Sequence, residues 1–378
     1  MPNPRTTSTR ATRVDAELAR IEKQKQDNSP RLTILKIVLV HKDDSSFSFK
    51  QAICARYNIE LTIDDDEVFE KYAKNFYRDL DTDEFVVPHE GKKKGISVKK
   101  SRAGLVKHDA HITLTSEEVA TKLVYHSNKN ILEGIIIGGV YGRPRNARQL
   151  RNKNNRKAVN KDDVITDDYY SMIYLPMNHN VGYMLLQYYP DITVKNEITE
   201  FIRKTLRKNR DKYDIEFSYY CTQEMSEQFS SNSILDHITF ATPFINGDRI
   251  NDDNELGEQP VHDVVLRVEV SSPSNQPIQY SQLRQFLQKI WHMNLNNKAA
   301  SDYQHCTATI KNTETGNTNT FEVSEDLKIR PIIYLYKKVA IDEDGIPDFV
   351  QLKSYCYSML EVVKSETLPG YRILETDE

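Results

Sequence analysis

The apolar residues of this chain come in short, β-branched runs separated by strongly charged stretches. Residues 32–41 and 131–141 are nearly all apolar, as strands buried inside a sheet must be. The longest such runs, 34–40 and 135–140, fall far short of the ~20 residues that a membrane helix needs. The pattern predicts a cytoplasmic protein without membrane contact.

Other segments carry a strand signature at 59–63, 110–114, 214–220, 237–241, 264–270 and 332–336. Residues 169–175 and 182–188 read as a hairpin, and 306–310 with 321–323 as another around Thr315-Gly316-Asn317. Asp64, Asp65 and Asp66 precede Val68, Phe69, Tyr72 and Phe76, which is an acidic helix start with one apolar face. Further helices are predicted from Ser116 and Glu117 through Tyr125, and over 194–208, 280–293 and 349–363. Gly138 and Gly139 inside 131–141 indicate a bulge or a close backbone approach. Strands and helices mix without strict β-α alternation. The fold class is therefore α+β, with mixed, mostly antiparallel sheets, packed helices and long charged loops.

With 378 residues the chain has room for two domains. The expected division is a flexible tail and polar helix over 1–30, a basic α+β domain over 31–190 and an acidic one over 191–378. Cys54, Cys221, Cys306 and Cys356 form no C-x-x-C pair, so no zinc site or disulfide scaffold is expected, and no cofactor. Residues 1–14 hold Arg5, Arg10 and Arg13 with no acid, as a basic tail does.

The net charge of −4 hides a segregation. Residues 1–212 carry 38 Lys and Arg against 29 Asp and Glu, while residues 213–378 carry 13 against 26. The positive excess sits in two acid-free runs. Residues 91–107 contain Lys92, Lys93, Lys94, Lys99, Lys100, Arg102 and Lys107 in what reads as a basic loop or hairpin. Residues 142–161 contain Arg143, Arg145, Arg148, Arg151, Lys153, Arg156, Lys157 and Lys161 among five asparagines, and read as a long exposed loop. The 194–208 helix adds Arg203, Lys204, Arg207 and Lys208 on its polar face. Clustered positive potential is what a phosphate backbone selects, and guanidinium groups grip phosphate bidentately. A solvated surface is the plainer explanation of the same charges.

His111-Ile112-Thr113 and His237-Ile238-Thr239 repeat one triplet on segments read as strands. On a strand the His and Thr of each share a face, so two such strands could present two imidazoles and two hydroxyls to one phosphate. The pair resembles the signature of two-histidine phosphoesterases, which act on cyclic phosphates and 2′,5′-linked oligonucleotides. That resemblance implies an acid–base role for His111 and His237, with Thr113 and Thr239 binding phosphoryl oxygens. It covers these residues alone, and ordinary strand residues explain them equally. Pro347-Asp348 with Gln351 and Lys353 resembles a degraded nuclease core, but a helical stripe through Phe349, Leu352, Cys356 and Leu360 explains that segment better. His108 with His111 makes no convincing metal site. Phosphate-binding Walker loops, nucleophile elbows and dinucleotide fingerprints are absent.

The strand Leu132-Glu133-Gly134-Ile135-Ile136-Ile137 is followed by the basic variable segment. Ile173-Tyr174-Leu175-Pro176-Met177, Gly182-Tyr183-Met184-Leu185-Leu186-Gln187 and an amphipathic helix come after it. This layout resembles uncharacterised accessory proteins of bacterial mobile elements and phage-defence loci, which implies a defence role and carries over no family catalytic residues. The leading expectation is a nucleic-acid- or polyanion-contacting protein acting through 92–107, 142–161 and the 203–212 helix end. The alternatives are a phosphoesterase, or an interaction subunit that docks a protein through residues 1–30 or the acidic C-terminal half.

Overall fold

Strand β1 (Arg31–His41) pairs on one side with β9 (Val181–Tyr188) and on the other with β10 (Tyr213–Tyr219). Its continuous apolar character is the consequence of that central place. The computed structural model that shows this describes residues 29–89, 91–99, 104–108, 114–149, 152–190, 194–208, 212–223, 233–241, 267–271, 277–279, 282–291, 294–295, 298–299, 305–313, 318–323, 329–331, 333–336 and 338–368. The predicted tail and strand 110–114 lie wholly or mainly outside these residues. No helix among them is long and apolar enough to cross a membrane.

The chain forms two units. The second is Tyr220–Ile332, and the first takes the chain up to Tyr219 and again from Ile333. The change expected at 190/191 instead falls inside the first unit, because β10 completes the sheet around β1.

The sheet of the first unit runs β10-β1-β9-β8-β5-β4-β3. Here β3 is Leu105–Lys107, β4 Leu123–His126, β5 Ile131–Val140 and β8 Ile165–Tyr174. Strand β2 (Lys94–Ser97) also pairs with β5, and β18 (Ile333–Tyr334) with β1. All pairs are antiparallel except β3 with β4, so the fold is α+β as the pattern predicts. Helices α1 (Phe49–Tyr57), α2 (Asp65–Leu80) and α4 (Lys195–Leu206) pack on one face. Their stripe of Phe69, Tyr72, Phe76, Phe201 and Ile202 is buried against Leu35, Ile37, Leu132 and Ile136. Burying each such side chain contributes about 1.5–3 kcal/mol. Helix α6 (Phe349–Thr367) covers the opposite face, with Leu352, Cys356, Leu360 and Val363 fully buried. Asp348 starts it by accepting hydrogen bonds from Val350 N and Gln351 N, which settles the nuclease-like segment as a capped helix.

In the second unit, β11 (Ser233–Ala241), β12 (Arg267–Ser271), β15 (His305–Asn312), β16 (Thr318–Val323) and β17 (Ile329–Pro331) form a second antiparallel sheet. Helix α5 (Leu283–Trp291) packs on it through Leu283, Leu287 and Ile290. Two short pairs complete the described strands: β13 (Asn294–Leu295) with β14 (Lys298–Ala299), and β6 (Arg145–Gln149) with β7 (Asn152–Val159).

Three sequence readings need correction. Residues 59–63 are a turn, because Asn58 takes a left-handed conformation and Ile59 N closes α1 on Cys54 O. The helix begun at Ser116 (α3, Ser116–Val119) stops after one turn, since β5 recruits Leu123–His126 as β4. Residues 142–161 are mostly the β6–β7 hairpin rather than a loop. The parent strands are already paired at Val140 and Ile165, and Gly142 N donates to Lys161 O, so pairing propagates outward through a sequence of poor β propensity.

Candidate nucleic-acid interface and a buried charged cluster

The β6–β7 arm leaves the first sheet from the ends of β5 and β8. Its turn-in is glycine-dependent: Gly142 has φ +86°, and a Cβ there would meet Lys93 Cδ at 2.5 Å. Gly139 and Gly138 are close approaches too, their missing Cβ atoms facing Ile165 O and Val194. Arg143, Arg145 and Lys157 are exposed on the arm, and Lys161 at its base. The register sets Arg148 opposite Arg156.

The structure brings the other basic run to the same place. Strand β2 pairs with the end of β5, Lys94 opposite Val140. Tyr141 N donates to Lys93 O at 3.0 Å, and Lys93 Nζ donates to Gly142 O at 3.1 Å. Lys92 and Lys93 are exposed beside the arm's base, and Lys94 is half-buried. The carboxylates of Asp162 and Asp163 follow Lys161, with Asp163 accepting from Asn160 N. Residues fifty apart in sequence thus form one cationic edge.

Other sequence candidates stand apart from that edge. Lys99 is ion-paired with Asp168 at 2.5 Å and also reaches Ala120 O. Lys100, Arg151, His111 and Thr113 lie outside the described residues. His237 and Thr239 lie on β11 in the second unit, half-buried. A bulge between Leu235 and His237 puts Leu235 and Ile238 alike into the core against α5 and leaves His237 and Thr239 together on the other face. The His237 ring nitrogen Nδ1 lies 2.8 Å from Asp236 Oδ2.

A second group of chemically active side chains lies under α6 in the first unit. Strand β5 carries one charged residue, Glu133, and it is 1% exposed. Pairing of β4 with β5 places Val124 opposite Glu133 and His126 opposite Ile131, so His126 is its diagonal neighbour on the α6 face. His126 Nε2 lies 2.8 Å from Glu133 Oε1, Tyr357 Oη donates to that oxygen at 2.9 Å, and Lys353 Nζ is 3.0 Å away. Tyr170 donates to the other carboxylate oxygen. An ionised carboxylate only accepts, so His126 carries its proton on Nε2; its buried Nδ1 has no partner among the described residues. The parallel β3–β4 register carries His108 beside His126, and the rings stack at 4.2 Å.

Burial alone would raise the Glu133 pKa. The His126 hydrogen bond, the Lys353 charge and the Tyr170 hydroxyl outweigh it and hold the carboxyl at about 2. Burial, then the neighbouring His126 and Lys353, pushes His108 below the ordinary histidine range. Burial and the Glu133 charge raise Tyr357, Tyr170 and the Cys356 thiol, so all three stay neutral near pH 7. Both carboxylate oxygens are engaged, an arrangement that fastens α6 to the sheet. The sequence did hold a signal: a lone acid in an apolar strand requires a partner. It could not name Tyr170, Lys353 or Tyr357, which are remote along the chain. Among the described residues no group of three or more His, Cys, Asp or Glu is placed to hold a metal ion.

No family model and no curated protein matches this chain.

Proposed function

We propose that the first unit contacts a nucleic acid or a similar polyanion through the β6–β7 arm and the Lys92–Lys93 segment. The supporting observation is the convergence of two acid-free basic runs at the arm's base, through the Tyr141–Lys93 and Lys93–Gly142 hydrogen bonds. A two-stranded ribbon is narrow enough to enter a major groove, and its exposed guanidinium groups suit phosphate oxygens. Positive charge that is not neutralised locally also draws the ligand in at low salt. The layout resemblance noted in the sequence would set this contact in a bacterial phage-defence or mobile-element system.

The test is fluorescence anisotropy with single-stranded and duplex DNA and RNA over a salt series. Wild-type protein should bind at low ionic strength with affinity falling steeply as salt rises. R143Q/R145Q/K157Q should weaken binding and flatten the log K against log salt slope by about 0.7–0.9 for each phosphate that goes unneutralised. A wild type with no salt-sensitive binding to any of the four ligands would overturn the reading.

A further inference from the structure

The ends of two helices meet at another cationic feature of the first unit, away from the arm's own residues. Arg56 lies in the last turn of α1, Lys204 in the last turn of α4, and Arg207 and Lys208 just beyond it. These four side chains line a cleft of about 320 Å³. Cations at helix C-termini complement the helix dipole, and that accounts for one or two of them on each helix. It does not account for four in one cleft, where they repel one another.

Their partners among the described residues leave most of this charge unbalanced. Arg56 Nε donates to Lys204 O at 3.1 Å, Lys204 Nζ to Pro88 O at 2.7 Å and Lys208 Nζ to Asn58 Oδ1 at 2.6 Å, all neutral acceptors. Among the described residues, Arg207 alone of the four meets a carboxylate, Asp214 at 2.9 Å, whose side chain is 63% exposed. The positions are also held in advance. Tyr213 donates to Leu206 O, accepts from Lys208 N and packs against Phe47, which fixes the backbone leaving α4. With Nε engaged, Arg56 keeps its two Nη groups, the fork that grips a phosphate bidentately. A ligand that finds its donors already ordered loses less entropy on binding.

We propose that Arg56, Lys204, Arg207 and Lys208 form a phosphate-binding site, distinct from the arm and independent of its role. The volume is near the lower end of ligand sites, which suits a phosphate group with its attached sugar better than a large apolar molecule. The phosphate belongs either to a strand end or nucleotide, or to a polynucleotide backbone.

The experiment uses the full chain, with pyrophosphate as first probe and 5′-phosphorylated and 5′-hydroxyl oligonucleotides as second. Calorimetry at low salt should detect pyrophosphate binding that K204Q/K208Q weakens about tenfold or more, as expected for removing two charged donors. R56K keeps the charge but loses the fork, and should weaken binding severalfold. R143Q/R145Q/K157Q should bind pyrophosphate like the wild type. A preference for the 5′-phosphorylated strand that K204Q/K208Q removes identifies a terminal phosphate; equal affinities that K204Q/K208Q lowers together identify the backbone. Either outcome supports the site. No pyrophosphate binding by the folded wild type, or binding that K204Q/K208Q leaves unchanged while the arm variant loses it, overturns it. Oligonucleotide binding lost in the arm variant alone, with pyrophosphate binding still weakened by K204Q/K208Q, would keep the site and assign its phosphate to a free nucleotide.

Discussion

The Glu133 cluster and the β6–β7 arm are both charged, yet they use charge in opposite ways. Under α6 the Glu133 carboxylate is buried and closed by His126, Tyr170, Tyr357 and the half-buried Lys353, so its charge contributes to holding the unit together. On the arm the charges are exposed and mostly of one sign, so they contribute little to stability and much to long-range attraction. The lesson concerns which measurement sees which region. Substitutions under α6 should register in unfolding, and substitutions on the arm in binding.

The largest effect expected is that of Glu133→Ala. Removing the buried carboxylate leaves the buried His126 imidazole and the half-buried Lys353 without their acceptor, and breaking such a buried pair typically destabilises by about 3–5 kcal/mol. Hydrogen exchange of β4, β5 and β8 amides reads this within the first unit. A loss under about 1 kcal/mol would show that the cluster is not closed in solution, and the contrast with the arm would fail.

Acid sharpens the same contrast. The Glu133 pKa is about 2 when folded against 4.5 ordinarily, so its contribution is whole above about 4.5 and fades as pH falls toward 2. Glu70, held at about 2 by Lys107 and Lys74, titrates in the same window. His108 is also depressed when folded, so its neutral form loses stability first, as pH drops below about 6.5. Melting temperature against pH should therefore fall toward acid. Glu133→Gln should flatten, without abolishing, the part between 4.5 and 2. An unchanged acid limb would mean that Glu70 and other carboxylates account for it.

Tyr357→Phe should have a smaller effect, about 1–2 kcal/mol, because it removes one donor while Lys353, Tyr170 and His126 still serve Glu133. The smallest effect is that of R143Q/R145Q/K157Q, within about 0.5 kcal/mol. A larger loss, read by urea midpoint, would make the arm part of the core and undo the comparison from its other side.

The sequence by itself determined the elements whose cause is local or periodic. The acidic start and apolar face of α2 required a helix. The near-unbroken apolar runs of β1 and β5 required a sheet interior, and Gly138 and Gly139 required close backbone neighbours. It also exposed the cationic runs and the isolated Glu133. Tertiary structure decided what depended on chain segments far apart. Pairing inherited from β5 and β8 made residues 145–159 a ribbon against their own propensity, and pairing with β5 turned residues 123–126 from helix to strand. The return of the chain at Ile333 supplied the helix that closes over Glu133. The meeting of Lys93 with Gly142, and of Arg56 with Lys208, is likewise absent from any local pattern. Side chains brought together from distant positions leave no mark on the residues between them, and only the folded backbone sets their separation.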